Sequence, residues 1–270
     1  MNQDTPPVIA LLTDMGLSDW YVGAMKAVIL NICPTARIVD ICHKLHSQDV
    51  EDAAFMLSVC YNYFPEGSIF LCVVDPGVGS PRHAIIARTE KYSFVAPDNG
   101  LLSFVLNQAQ HLEVRSIDNT DYWLENASQT FHGRDIFAPA AAHLANGVPL
   151  ESFGKKMEKT ERLPGIDKVS IHENSLTGQI LYIDTYGNLL TNVTPDMVPK
   201  PEKPEDFRLK FKDHIILGLA PHFAAVPTNH PLMYWGSSGY LEIAINRASA
   251  QRKWDAHIGE WFELEWPCSE

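Results

Sequence analysis

The sequence predicts an α/β protein: a mostly parallel sheet covered by helices over roughly the first 165 residues, then a smaller antiparallel β domain over 166–270. Three observations carry this. Apolar runs alternate with helix-like segments through the first 150 residues, which is the pattern of strands joined by crossover helices. Several of the runs are apolar without interruption, as in Ile69–Val74 (IFLCVV), and suit strands buried on both faces. Beyond residue 150 the pieces become short, and no segment has the length of a covering helix.

Taken in order, Val8–Thr13 reads as a buried strand and Tyr21–Asn31 as a helix that Cys33-Pro34 ends. Ala36–Ile41 is the next strand. Val50–Tyr63 is helical in period, and Phe64-Pro65-Glu66-Gly67 closes it. Strands follow at Ile69–Val74, Ala84–Arg88 and Tyr92–Ala96, then a helix at Leu101–Ala109, a strand at Leu112–Ile117, and a helix at Ile136–Ala145 stopped by Asn146-Gly147. Gly154–Ile166 is charged and punctuated by Pro and Gly, as a linker or exposed connection would be. Thr177–Ile183 and Leu189–Val193, joined by Asp184–Asn188, read as a hairpin. Leu232–Trp235 and Tyr240–Ile245 flank a Gly236–Gly239 turn. A small barrel or sandwich fits these strands.

Composition narrows the function classes. The 270 residues include 46% hydrophobic and 20% charged residues, a globular balance, and the formal net charge is −12. An acidic surface is repelled by nucleic acid and by anionic membranes, so neither is expected as a partner. No apolar run approaches the ~20 residues of a membrane helix, and Met1–Pro7 has no signal-peptide character. Five cysteines (Cys33, Cys42, Cys60, Cys72 and Cys268) at irregular spacing, with no CxxC, read as reduced core thiols of a cytoplasmic protein.

The chemistry-bearing residues fall at strand ends. Asp14 follows the first strand, Asp40 lies in the second with His43 after it, Asp75 follows the third, and Asp98 follows the Tyr92 strand. Ligands of open parallel sheets bind beyond the carboxyl ends of the strands, so these aspartates are expected at one rim. Each is also an ordinary turn or cap residue taken alone. An acidic rim suits a metal, ribose hydroxyls or an organic cation, and suits phosphate poorly. Neither GxxxxGK[ST] nor GxGxxG occurs. No HExxH and no second His/Cys pair accompanies His43 and His46, so those two read as polar loop histidines and no metal is expected. Arg82 follows Asp75 by seven residues. His132 stands before a glycine at a helix mouth, with Arg134 a candidate ion-pair partner and Asp135 a candidate cap. No GxSxG elbow supports a serine hydrolase.

Thr13-Asp14-Met15-Gly16, Tyr21–Lys26, Val74–Gly79, Ala96–Gly100, Phe131–Asp135, Asp184–Asn188 and Gly236–Ala244 occur in that order along nearly the whole chain. In this it resembles the S-adenosyl-L-methionine (SAM) hydroxide adenosyltransferases, the adenosine-forming SAM hydrolases related to fluorinase and chlorinase. The resemblance implies a Rossmann-like N-terminal domain, a C-terminal β-barrel, and a homotrimer with SAM held between the N-terminal domain of one subunit and the C-terminal domain of its neighbour. It places the Asp, Arg and His of the hydroxide-using branch on Asp75, Arg82 and His132, where halogenating relatives differ at the Asp and His positions. By the same matching Asp14 holds the ribose hydroxyls, Asn188 the adenine and Asp184 the methionine ammonium group. Ser237, Ser238 and Glu242 line the C-terminal part of the pocket, and Asp19, Gln48 and Gly133 belong to the substrate site. Gln48 stands where halogenases carry an aromatic residue, and Met15 where an aromatic is commoner.

The implied reaction is displacement at ribose C5′ by water or hydroxide, releasing adenosine and L-methionine, with SAM as substrate and no cofactor. Other readings stay open on the residues alone. An adenosyl-halide synthase would need halide, a SAM- or adenosine-binding sensor would retain SAM without turnover, and a metal-dependent hydrolase would lose activity to a chelator.

Overall fold

The computed structural model describes residues 5–164, 168–199 and 204–267. The chain divides into two compact units, Met1–Leu163 and Pro164–Glu270. Cys268, and the 165/166 boundary expected from the sequence, lie outside the described residues.

The first unit is built from β1 (Val8–Thr13), α1 (Tyr21–Ile32), β2 (Arg37–Cys42), α2 (Val50–Cys60), β3 (Ile69–Val73), β4 (Ala84–Arg88), β5 (Ser93–Pro97), α3 (Ser103–Gln108), β6 (Glu113–Ser116) and α4 (Ala138–Ala145). The sheet order is β2-β1-β3-β5-β4-β6. β2, β1, β3 and β5 run parallel, so their carboxyl ends share one edge. β4 runs antiparallel to both its neighbours. It reaches β5 through the short turn Thr89–Tyr92, too short for the crossover that a parallel pair needs.

Side chains alternate across this sheet into two cores. Ile9, Leu11, Ile69, Leu71 and Val73 pack with Met25 and Ile29 of α1 and Ala138, Ala141 and Ala142 of α4. Ala10, Leu12, Phe70 and Cys72 pack with Ala53 and Leu57 of α2 and with Val105 of α3. Both faces are therefore covered, and β3 is apolar at every position and β1 at every position but Thr13.

Several element ends differ from expectation. The α-helix after Val50 stops at Cys60, and its last turn tightens to a 3₁₀ turn at Tyr61–Tyr63. Pro65 bars Phe64 from helical geometry, and tightened final turns are common. The helix expected from Ile136 begins earlier, as a π-type turn over Gly133–Phe137 with Ala138 N–H bonded to the Gly133 carbonyl. Pro139 has no N–H for the Asp135 carbonyl, which accepts from Leu124 N at 2.8 Å instead. The charged segment from Gly154 is not a free linker. Its backbone runs along β6, with Ser116 N bonded to Lys155 O and Met157 N to Val114 O. Glu161 N and Leu163 N are bonded to Asp98 Oδ1 and Ser103 Oγ. The end of that segment, Ile166, is outside the described residues.

The second unit comprises β7 (Ser170–Ile171), β8 (Ser175–Ile183), β9 (Leu189–Thr191), β10 (Arg208–Phe211), β11 (His214–Leu217), β12 (Pro231–Trp235), β13 (Leu241–Ile245), α5 (Ala250–Trp254) and β14 (Trp261–Glu265). Its sheet is ordered β11-β10-β14-β8-β9-β13-β12 and its strands pair antiparallel, with β7 on β8. Leu219, just beyond β11, bridges to Met233 of β12, so the sheet curls into a nearly closed barrel. Leu176, Leu209, Phe211, Met233, Ile243 and Phe262 fill it. Among the described residues no helix is long and apolar enough to cross a membrane.

Gly154 has no room for a side chain, because an added Cβ would lie 2.4 Å from the Ser116 carbonyl and 2.3 Å from Asp118 Oδ1. Gly154→Ala is expected to lower stability by about 1–3 kcal/mol, as overpacking does, measured as a shift of the urea midpoint. An unchanged midpoint would mean the segment does not hold this course along β6.

Candidate active site

The first unit gathers one polar group at the carboxyl edge of its parallel strands. Asp75 leaves β3, and Arg82 stands at the far end of the Gly77–Gly79 turn. Arg82 Nε donates to Asp75 Oδ1 at 2.8 Å, and its Nη2 donates to Asp75 Oδ2, a two-point pairing of fork and carboxylate. Nη2 also lies 2.9 Å from His132 Nδ1. A guanidinium only donates, so Nδ1 is the accepting nitrogen and the neutral ring carries its proton on Nε2. The guanidinium carbon lies 5.2 Å from the centre of the Phe137 ring, a cation–π contact from inside the core. The side chains of Asp75 and Arg82 are 7% and 11% exposed, so both charges depend on each other for compensation. Burial first, and the Arg82 charge second, hold the His132 pKa below the ordinary imidazole value.

His132 is placed by the π-type turn that follows it. Gly133 is buried there, and a Cβ on it would come within 3.1 Å of Met15 Cε and 3.2 Å of Met25 Sδ. The loop after β1 and the turn after His132 therefore meet at Met15 and Gly133. Asp14, half-buried in that loop, accepts from Gln48 N at 2.8 Å, and Gln48 takes the left-handed backbone (φ +65°) that aims its N–H there. Asp19 is exposed between β1 and α1.

The four strand-end aspartates do not act as one group. Asp40 pairs with Lys26 at 2.7 Å, and Asp98 Oδ1 accepts the Glu161 backbone N–H. Burial raises the Asp98 pKa. His43 stands in the loop after β2, as expected, but is buried, with its ring on Thr13 Oγ1. His46 stands apart from it, bonded to Asp52. Asp135 does not cap the helix. Its two oxygens take Arg134 Nε and Nη2 at 2.6 and 3.0 Å, and Oδ2 also takes Ser128 N. Burial would raise its pKa, but these bonds outweigh it and the value is lowered.

The second unit carries a cleft of about 880 Å³ lined by Asp184, Asn188, Tyr234, Ser237, Ser238 and Glu242. The hairpin between β8 and β9 shapes one wall. Asp184 Oδ1 accepts from Tyr186 N and Asn188 N, and Oδ2 accepts from Asn188 Nδ2 at 2.8 Å. Gly187 must be glycine, with φ +82° and Ser249 Oγ 2.0 Å from where a Cβ would stand. The opposite wall is the β12–β13 turn. The Tyr234 hydroxyl donates to Glu242 Oε2, and Ser238 Oγ to Oε1 at 3.4 Å. Burial, then the nearby Asp184 charge, raise the Glu242 pKa against the pull of these bonds. Every residue expected for the C-terminal part of the pocket lines this cleft. Phe223, Tyr234, Arg247 and Arg252 line it too and were missed, as was Phe137 in the first unit. Tyr234 stands in the uninterrupted apolar run Leu232–Trp235, which marks a strand and not a cleft residue.

An α/β unit with an Arg–carboxylate–His group beyond its parallel strands, followed by a barrel unit with an acidic, hydroxyl-lined cleft, defines the class. Residues 9–154 match the SAM hydroxide adenosyltransferase N-terminal domain, and residues 178–263 match the C-terminal domain of the same family. The chain belongs to the SAM hydroxide adenosyltransferase family. It is 36% identical to an (R)-S-adenosyl-L-methionine hydrolase of Thermus thermophilus, over 90% of this chain and 93% of that protein. It is 30% identical to a fluorinase of Actinopolyspora mzabensis, over 90% and 92% of the two chains. The crystal structure of an uncharacterized conserved protein from Thermotoga maritima superposes with a TM-score of 0.88 at 37% identity, covering 97% of this chain and all of that one.

The His132 contacts set a titration. In a pH series followed by NMR, His132 should protonate below the ordinary imidazole pKa of about 6.5, and Arg82→Ala should move it upward by removing the adjacent positive charge. A His132 pKa unaffected by Arg82→Ala would separate the two side chains.

Proposed function

We propose that this protein hydrolyses SAM to adenosine and L-methionine by attack of water at ribose C5′. The observation that carries the reading is the hydrogen-bonded Asp75–Arg82–His132 group, in a family whose relatives include (R)-S-adenosyl-L-methionine hydrolases. SAM is a sulfonium with no phosphate, which suits acidic, hydroxyl-lined surroundings. The water oxygen bonds to C5′ as the C5′–S bond breaks. Its electron pair returns to sulfur, methionine leaves as a neutral thioether, and one proton is released. No cofactor is needed for this balance.

Water is a poor nucleophile, with a pKa of about 15.7. Arg82 supplies a fixed positive charge that favours a hydroxide-like oxygen. His132, protonated on Nε2, holds that oxygen by donating to it, and Asp75 is the remaining group able to take the proton. Attack of a developing anion on a sulfonium cancels charge, so the low-dielectric surroundings of the group favour the step. Asp14, with Asp19, Gln48 and Gly133 around it, holds the ribose side. In the second unit Asn188 holds the adenine and Asp184 the ammonium group, with Ser237, Ser238 and Glu242 along the pocket. The substrate contacts are thus divided between units, and we propose a homotrimer in which the first unit of one subunit and the second unit of its neighbour complete each site. Four free cysteines among the described residues support a reducing, cytoplasmic location.

The similarity to fluorinases makes halide the alternative nucleophile. Turnover of SAM in ¹⁸O-water should place the label in the adenosine 5′-hydroxyl, with product yield independent of chloride and fluoride. Unlabelled adenosine, or adenosyl halide as the main product, would overturn the reading. Arg82→Ala should lower kcat by about 10²–10³-fold, as loss of an electrostatic group in a closed site does, with a smaller change in SAM affinity.

A further inference from the structure

The end of β1 and the segment after β2 are fastened together by a chain of contacts that the reaction as written does not use. Thr13 Oγ1 and His43 Nδ1 are 2.8 Å apart, and both residues are buried. Gly16 N donates to the His43 carbonyl at 2.6 Å, and Gln48 N donates to Asp14 Oδ2. On its other side His43 Nε2 lies 3.1 Å from Asp40 Oδ1, and Asp40 Oδ2 accepts from Lys26 Nζ of α1 at 2.7 Å. Thr13 Oγ1 accepts the Met15 N–H at 3.3 Å. The Thr13 hydroxyl is free to share a proton with Nδ1 in either direction, and Nε2 lies at ion-pair distance from Asp40 Oδ1 without making a hydrogen bond.

Thr13 precedes Asp14, and His43 begins the segment that ends at Gln48, so this buried contact sets the distance between the two strands of loop that meet at Asp14. We propose that His43 is a positioning residue for Asp14, tying it through Thr13 and the 43–48 segment to the Asp40–Lys26 pair on β2 and α1. The inference rests on the reading of Asp14 as the holder of the ribose hydroxyls. His43 itself touches no substrate. It acts by keeping the Asp14 carboxylate where the Gln48 N–H can orient it. A displaced carboxylate loses its hydrogen bonds to substrate in ground state and transition state alike, and such uniform binding appears in KM.

The test is steady-state SAM hydrolysis by the full chain and five variants. His43→Ala should raise KM roughly tenfold, the value of one misplaced charged hydrogen bond, with kcat changed less than threefold. His43→Asn, which keeps a polar atom where Nδ1 lies, should recover most of that loss. Asp14→Ala should raise KM at least as much, and the double variant should be no worse than Asp14→Ala, since both changes remove the same contact. If His43→Ala does not fold, Thr13→Val, which deletes only the bonded hydroxyl, carries the same expectation. A KM unchanged in His43→Ala or Thr13→Val, additive losses in the double variant, or no recovery in a folded His43→Asn would overturn the proposal. An unchanged KM in Asp14→Ala would instead overturn the ribose reading beneath it.

Discussion

The two-point pairing of Arg82 with Asp75 is the interaction on which the candidate site depends. Both side chains are nearly out of water, and neither charge is tolerable there alone. The pair gives the guanidinium its orientation, and from that follows the tautomer of His132, because Nη2 has nothing to do with Nδ1 except donate. The lowered pKa of His132 has the same origin, burial reinforced by the adjacent cation. Phe137 supports the guanidinium from the apolar side, so the group is held by core packing as well as by hydrogen bonds.

The fold supplies this group with rigid anchors. Asp75 sits at the end of a central strand, His132 at the mouth of a turn whose irregularity traces to Pro139, and Gly133 lets the Met15 loop close against it. Sites carried on strand ends and helix mouths are placed more tightly than sites on free loops. The second unit builds its cleft by the same logic with other parts. A glycine with no room for a Cβ stands at each wall, Gly187 against Ser249 and Gly236 against Glu242. Substituting either residue would move the acid or hydroxyl it faces.

Much of this was legible along the chain. The strands of the first unit and β8, β9, β12 and β13 of the second lie where apolar runs and alternation placed them, while β7, β10, β11 and β14 were not foreseen, and residues expected from the motifs, such as Asp75, Arg82 and His132, are drawn together. What escaped was decided by partners distant in sequence. Asp40, Asp75 and Asp98 look alike as strand-end acids, yet Lys26, Arg82 and the Glu161 backbone each claim one of them. His43 looks like an exposed loop residue because Lys44 and Ser47 around it are polar, yet it is buried against Thr13, thirty residues away. The segment from Gly154 looks like a tether because it is charged, but its backbone finds the edge of β6. Phe137 and Tyr234 read as ordinary core aromatics.

Local pattern by itself determined the two-part architecture, the parallel character of the central strands and the family, since periodicity, turn residues and ordered motifs are properties of neighbouring positions. Tertiary structure alone decided which acid meets which cation, which histidine is buried, and on which nitrogen the His132 ring carries its proton. Those outcomes depend on distances between groups far apart in the chain, and a hydrogen bond or ion pair is made or lost within about an ångström.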